Sequence, residues 1–94
     1  MSGTPQMDVI IGGKPTMNYV VACLTLFNAG SERVSIKARG QRISHAIDTV
    51  ELLRRAFIKD LNIQSIEIGS QEYVRGDGVN SRVSTIEITI SKPN

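Results

Sequence analysis

The spacing of apolar residues changes period along the chain, and each change marks an element. Met7 to Ile11 is a short apolar run closed by Gly12-Gly13 and reads as a buried strand. Pro15 then stands where a first helical turn tolerates its missing N–H. Met17, Val20, Val21, Leu24 and Phe27 recur at helical spacing and Gly30 supplies a stop, so a first helix is predicted over Pro15–Ala29. From Glu32 to Arg39 the period becomes two. Val34, Ile36 and Ala38 face one side; Arg33, Ser35, Lys37 and Arg39 face the other. A second helix is predicted over Ile43–Lys59, with Ile43, Ala46, Ile47, Val50, Leu53 and Phe57 as its apolar stripe. His45, Asp48, Glu51, Arg54 and Arg55 lie on its other face.

The last third reads as two strands, Ile63–Arg75 and Arg82–Ser91, joined through the turn signal Gly76-Asp77-Gly78. The order β-α-β-α-β-β predicts an α/β fold of the α+β, two-layer sandwich kind. Two helices cover one face of a four-stranded mixed sheet. Residues 7–94 form a single domain, and residues 1–6 read as a disordered tail. In the final hairpin the apolar alternation lies at the base, at Ile66, Ile68, Ile86, Ile88 and Ile90, whereas Gln71 to Asn80 offers a core little. At ~3.4 Å per residue, about five unsupported residues on each side project on the order of 15–17 Å as an arm. An isolated two-stranded ribbon is marginal in water, so such an arm is floppy without a partner. It carries Arg75 and Arg82, with Asn80 and Ser81 as neutral hydrogen-bonding groups.

Composition narrows the class without naming a function. Ninety-four residues make one domain with a modest core, for which oligomerisation is a common supplement. At 40% hydrophobic and 21% charged the chain is too apolar to be disordered. Cys23 is the single cysteine, which precludes an intrachain disulfide and suits a reducing compartment. No apolar run reaches membrane-spanning length and no signal-peptide pattern opens the chain, so a cytoplasmic protein with no membrane partner is expected.

Net charge is only +2, so the placement of charge carries more information than its sum. Between Arg33 and Arg42 stand four cations (Arg33, Lys37, Arg39 and Arg42) and no acid. Gly40 within this turn permits close backbone approach. A solvated charge face is the plain alternative, but the clustering points to a polyanion. Gly12-Gly13-Lys14-Pro15-Thr16 has the strand–glycine–lysine–helix context of a phosphate loop. It lacks the first spaced glycine, and Pro15 replaces the magnesium-binding hydroxyl. A single backbone phosphate at Lys14 and the helix N-terminus is the weaker reading, and an ordinary turn the plain one. Arg54, Arg55 and Lys59 can extend the basic surface or pair with Asp48 and Glu51 at helical spacing. Catalysis finds little support. Ser44, His45 and Asp48 diverge around a helix and His45 reads as exposed, while Cys23 reads as a buried small hydrophobe. No His or Cys spacing suits a metal, and no cofactor is implied.

Several ordered blocks resemble the archaeal Alba chromatin proteins: Val9-Ile10-Ile11-Gly12, Lys14-Pro15 with Met17-Asn18-Tyr19-Val20, Ile36-Lys37-Ala38-Arg39-Gly40, Asp48-Thr49-Val50-Glu51 and Ser81 to Ile88. The resemblance runs from about Asp8 to Lys92. It implies a fold similar to the C-terminal domain of a bacterial translation initiation factor, and a homodimer. It further implies binding of double-stranded DNA with little sequence preference, binding of RNA, and residence on the chromosome. By position, it puts Lys14 and the loop residues Lys37, Arg39, Gln41 and Arg42 on the phosphate backbone. It sends the arm, with Arg75, Asn80 and Arg82, into or along the minor groove. Phe57 matches an aromatic used between neighbouring dimers.

Two departures stand out. Relatives often carry a lysine pair before the proline, the first being acetylated; here that place is Gly13, leaving Lys14 as the local candidate. Relatives also often read Arg-Gly-Arg in the loop, where this chain has Arg39-Gly40-Gln41 with Arg42 one place later. The alternative within the resemblance is an RNA-directed role, as a ribonucleoprotein subunit or RNA stabiliser. Aromatic platforms are scarce (Tyr19, Phe27, Phe57 and Tyr73), which favours helical over single-stranded substrates. A third class, a protein-interaction module, would use the acidic and apolar face near Phe57.

Overall fold

β-Branched residues at alternate positions of two long strands supply the sheet's buried face, and two helices cover it. The computed structural model describes residues 6–93. The elements are β1 (Met7–Ile10), α1 (Thr16–Asn28), β2 (Arg33–Arg39), α2 (Ile43–Leu52), β3 (Asn62–Val74) and β4 (Asn80–Ser91). They form one mixed sheet in the order β1-β2-β4-β3, with β1 parallel to β2 and the other pairs antiparallel. Val34, Ile36 and Ala38 stand opposite Ile90, Ile88 and Ile86. These six are buried under Val20, Cys23 and Phe27 of α1 and Ala46 and Val50 of α2. Residues 1–5 of the expected tail lie outside the described residues.

The helices sit slightly rotated from their predicted stripes. In α1 the inward face is Tyr19, Val20, Cys23 and Phe27, whereas Met17 and Val21 are exposed. Apolar residues surround this helix, so periodicity alone underdetermined its phase. In α2 Ala46, Thr49 and Val50 point inward and Ile47 outward. Thr49 is tolerated there because its hydroxyl donates to the His45 carbonyl at 2.9 Å. The second helix was predicted to reach Lys59. It instead widens into a π turn over Leu53–Phe57, in which the Ile58 N–H donates to the Leu53 carbonyl at 2.8 Å, and Ile58 is extended.

β3 and β4 run past the body as the expected arm. All of β3 is exposed, and the longest dimension of the molecule is 48 Å against 19 Å for the shortest. The tip closes by a hydrogen bond from the Arg75 N–H to the Val79 carbonyl at 2.8 Å, and Gly78 takes φ +85°.

At the other junction, Gly40 has φ +55°, and a Cβ there would lie 3.1 Å from the Val83 methyl of β4. A left-handed non-glycine residue costs about 1–2 kcal/mol. Gly40→Ala is therefore expected to lower stability by at least about 1 kcal/mol, as read by urea unfolding. An unchanged midpoint would show that this turn relaxes freely.

Candidate nucleic-acid interface

Two loops at one end of the sheet bring the cations together. The first, between β1 and α1, is anchored by the Ile11 N–H, which donates to the Lys37 carbonyl at 2.9 Å. The buried Tyr19 hydroxyl then accepts the Gly12 N–H at 2.8 Å and the Lys14 N–H at 3.1 Å. Its ring meets His45 edge-on, with centroids 5.5 Å apart, so His45 is half-buried rather than exposed as expected. Tyr19 thus ties the glycine loop to α1 and occupies two backbone donors that a phosphate cradle would use. What this loop offers a phosphate is the exposed Lys14 ammonium.

The second loop follows β2 as one tight turn, Gly40–Arg42. The Arg42 guanidinium folds back over Gly13: a Cβ there would lie 3.4 Å from Nη2 and 3.5 Å from Nη1. The Arg42 guanidinium therefore lies against the residue that precedes Lys14, although the two cations are 28 positions apart in the sequence. Arg39 is exposed at the end of β2, and its Nη1 donates to Gln71 Oε1 at 3.3 Å, linking the body to the root of the arm. Gln41 is exposed between Arg39 and Arg42.

Of the other cations named from the sequence, Arg33 is exposed at the opposite end of β2 from Arg39, and several more are ion-paired. Lys37 Nζ lies 3.1 Å from Asp8 Oδ2 and faces Glu87 across the sheet. The hydrogen bond to Asp8, then the charges of Asp8 and Glu87, raise its pKa above the ordinary lysine value, so it remains protonated at neutral pH. Glu87 stands directly opposite Glu67. Asp8 and Glu87 therefore flank this ammonium, and with Glu67 one strand further they make the middle of the sheet's outer face acidic. On the arm, Arg82 pairs with Glu72 directly across the ribbon at 2.9 Å, and Arg75 with Asp77 at 2.9 Å. Asn80 is exposed opposite Val74. On the helical side Arg54 pairs with Glu51, while Arg55 and Lys59 are exposed. Lys14, Arg39 and Arg42 thus form the coherent cationic surface at this end, and none of them has an ion-pair partner among the described residues.

Sequence reasoning assigned no role to Tyr19 or Gln71. A buried tyrosine hydroxyl needs a partner, and the glycine loop shortly before it was the available signal for Tyr19. Nothing local marked Gln71, because its contact depends on the pairing of strands far apart in the chain.

An apolar surface lies beside the arm's root. Ile66 and Ile68 share the helix-side face with Ile88 and Ile86 but lie beyond the helices' cover, 57% and 82% exposed. Phe57 is 47% exposed. Cys23, by contrast, is fully buried, and burial pushes its thiol pKa up to about 12, leaving it unreactive. Among the described residues no cluster of His, Cys, Asp and Glu is arranged to hold a metal, and no helix is long and apolar enough to cross a membrane.

Comparison with known proteins agrees with this arrangement. Residues 8–70 match the family model described as Alba. The chain is 46% identical over 90 residues to the DNA/RNA-binding protein Alba of Methanocella arvoryzae, covering 95% of this chain and 94% of that one. The solved structure of Alba from Thermoplasma volcanium superposes with a TM-score of 0.84 at 42% identity, covering 90% of this chain and 99% of its own. ALBA1 from Trypanosoma brucei shares the fold, with a TM-score of 0.73 at 24% identity over 96% of this chain and 72% of that one. The chain belongs to the Alba family of nucleic-acid-binding proteins.

Proposed function

We propose that the protein coats double-stranded DNA as a homodimer with little sequence preference, compacting it, and that it also binds RNA. The observation that carries this reading is the placement of Lys14, Arg39 and Arg42 at one end of the sheet, exposed and without acidic partners among the described residues. Such groups meet phosphates, which position a protein on a helix but carry no base information. Lys37 has a smaller part, because two carboxylates, Asp8 and Glu87, flank it. Gln41 contributes a neutral hydrogen bond beside the two arginines. The Methanocella relative's description as a DNA/RNA-binding protein agrees with this substrate class.

The homodimer rests on the uncovered Ile66 and Ile68. Phe57, exposed at the end of the helical layer, is the contact between successive dimers in an array. Lys14, solvent-facing, is the residue on which acetylation would lower the site's charge. Residence in the cytoplasm, on the nucleoid, follows from the substrate.

The arms extend along the minor groove, with Asn80 donating and Arg75 and Arg82 leaving their acidic partners for phosphate. Exposed ion pairs of this kind are worth roughly 0–1 kcal/mol, so exchange is inexpensive. Deleting 75–80 and closing the ribbon with a short turn is expected to weaken duplex binding while leaving the dimer folded, as read by a fluorescence anisotropy titration and light scattering. Loss of the fold would show that the arm belongs to the core; unchanged affinity would remove it from the interface. A role as an RNA-directed ribonucleoprotein subunit is the second reading. Competition between duplex DNA and structured RNA at one salt concentration separates the two.

A further inference from the structure

Of the two tyrosines and two phenylalanines, Tyr19 and Phe27 are buried and Phe57 follows α2, so Tyr73 is the arm's aromatic side chain. It is 47% exposed. In the β3–β4 register it stands opposite Ser81, which is too small to cover a phenol ring. Successive strand residues alternate faces, so Tyr73 shares its face with Gln71, the partner of Arg39. Arg39, Gln71 and Tyr73 thus form a line from the basic body to the arm: a cation, an amide and a half-exposed aromatic ring. Gln71 and Tyr73 are ~6.8 Å apart along the strand, comparable to one nucleotide step of an extended single strand.

The phosphate-facing cations do not require this aromatic. A duplex keeps its bases stacked inward and presents no base face to a side chain lying along its groove. Unpaired bases do present one, and stacking on an exposed aromatic next to a cation is the usual way they are held. The geometry points to a second binding mode, in which Tyr73 is the stacking platform for an unpaired nucleobase and Arg39, oriented by Gln71, takes the adjoining phosphate. This site suits single-stranded or looped RNA and rests on the nucleic-acid-binding reading above. It reverses the expectation that single strands are disfavoured. That expectation counted aromatics, whereas what matters is that Tyr73 is half exposed opposite a small serine.

The chain contains no tryptophan and its other tyrosine, Tyr19, is buried, so the emission that differs between wild type and the Tyr73 variants reports this site. The test titrates full-length wild type, Tyr73→Val and Tyr73→Phe with a short unstructured adenosine-rich RNA and, separately, with a DNA duplex. Valine keeps strand propensity but removes the ring. Stacking is worth ~1–3 kcal/mol per base, so Tyr73→Val is expected to weaken single-strand binding by about 5- to 150-fold and duplex binding by less than about twofold. Tyr73→Phe should keep the single-strand affinity. Wild-type emission should be quenched by the RNA, and that quench should vanish in both variants. Equal affinity of wild type and Tyr73→Val for the RNA overturns the assignment. Equal loss on both substrates also overturns it, placing Tyr73 in the arm's own stability. Tight duplex binding alongside either result leaves the duplex reading standing; failure of the wild type to bind either substrate overturns both.

Discussion

Replacing Arg39 and Arg42 together with alanine is expected to weaken binding to every DNA duplex by the same large factor and to leave the fold intact. Both guanidiniums are exposed and neither is ion-paired among the described residues, so their loss removes no buried interaction. In a dimer the two substitutions delete four phosphate contacts. Each contact contributes about 0.9 to the slope of log affinity against log salt, so the slope should shrink by about 3.6 and affinity near physiological salt fall on the order of 10²–10³-fold. The check is anisotropy titration of two unrelated duplexes at several salt concentrations. A loss confined to one sequence would mean that the arginines read bases. Lys37→Ala in the same assay should have the smaller effect, because Asp8 already holds that charge.

Substituting Ile66 and Ile68 together with aspartate should yield a folded monomer. These side chains are 57% and 82% exposed in the single chain, so the protomer's own core loses little. Full burial of an isoleucine is worth ~1.5–3 kcal/mol, and the fractions still exposed in the two protomers leave about 4–8 kcal/mol for a two-fold interface to gain, which carboxylates would oppose. A tenfold change in affinity corresponds to 1.4 kcal/mol, so the dimer dissociation constant should rise by at least about 10³-fold. Sedimentation equilibrium with circular dichroism checks this. A variant that stays dimeric would move the interface away from β3.

The fold was legible because alternation and helical spacing both depend on local sequence. Val34, Ile36 and Ala38 against Ile86, Ile88 and Ile90 stated the sheet's buried face outright, and Gly76-Asp77-Gly78 stated the hairpin. The phase of α1 was not legible, because Met17 and Val21 are as apolar as the residues that turn inward. The π turn at Leu53–Phe57 left no sequence mark. The site was half legible. Lys14, Arg39 and Arg42 were identifiable as cations near glycines. That Arg42 lies over Gly13, that Tyr19 consumes the loop's N–H groups and that Asp8 claims Lys37 all depend on contacts between distant segments. Charge clustering in sequence did not show that Lys37, Arg75 and Arg82 stand beside acidic partners in the folded chain.

The measurement that bears most directly on phosphate-backbone binding is duplex affinity of the full-length protein as a function of salt. Lys14, Arg39 and Arg42 from both protomers give six contacts, so log affinity should fall against log salt with a slope of about −5 or steeper, losing at least about 10³-fold between 50 and 200 mM. Unrelated duplexes should share that slope. A flat titration, or a slope that changes with base sequence, would contradict it.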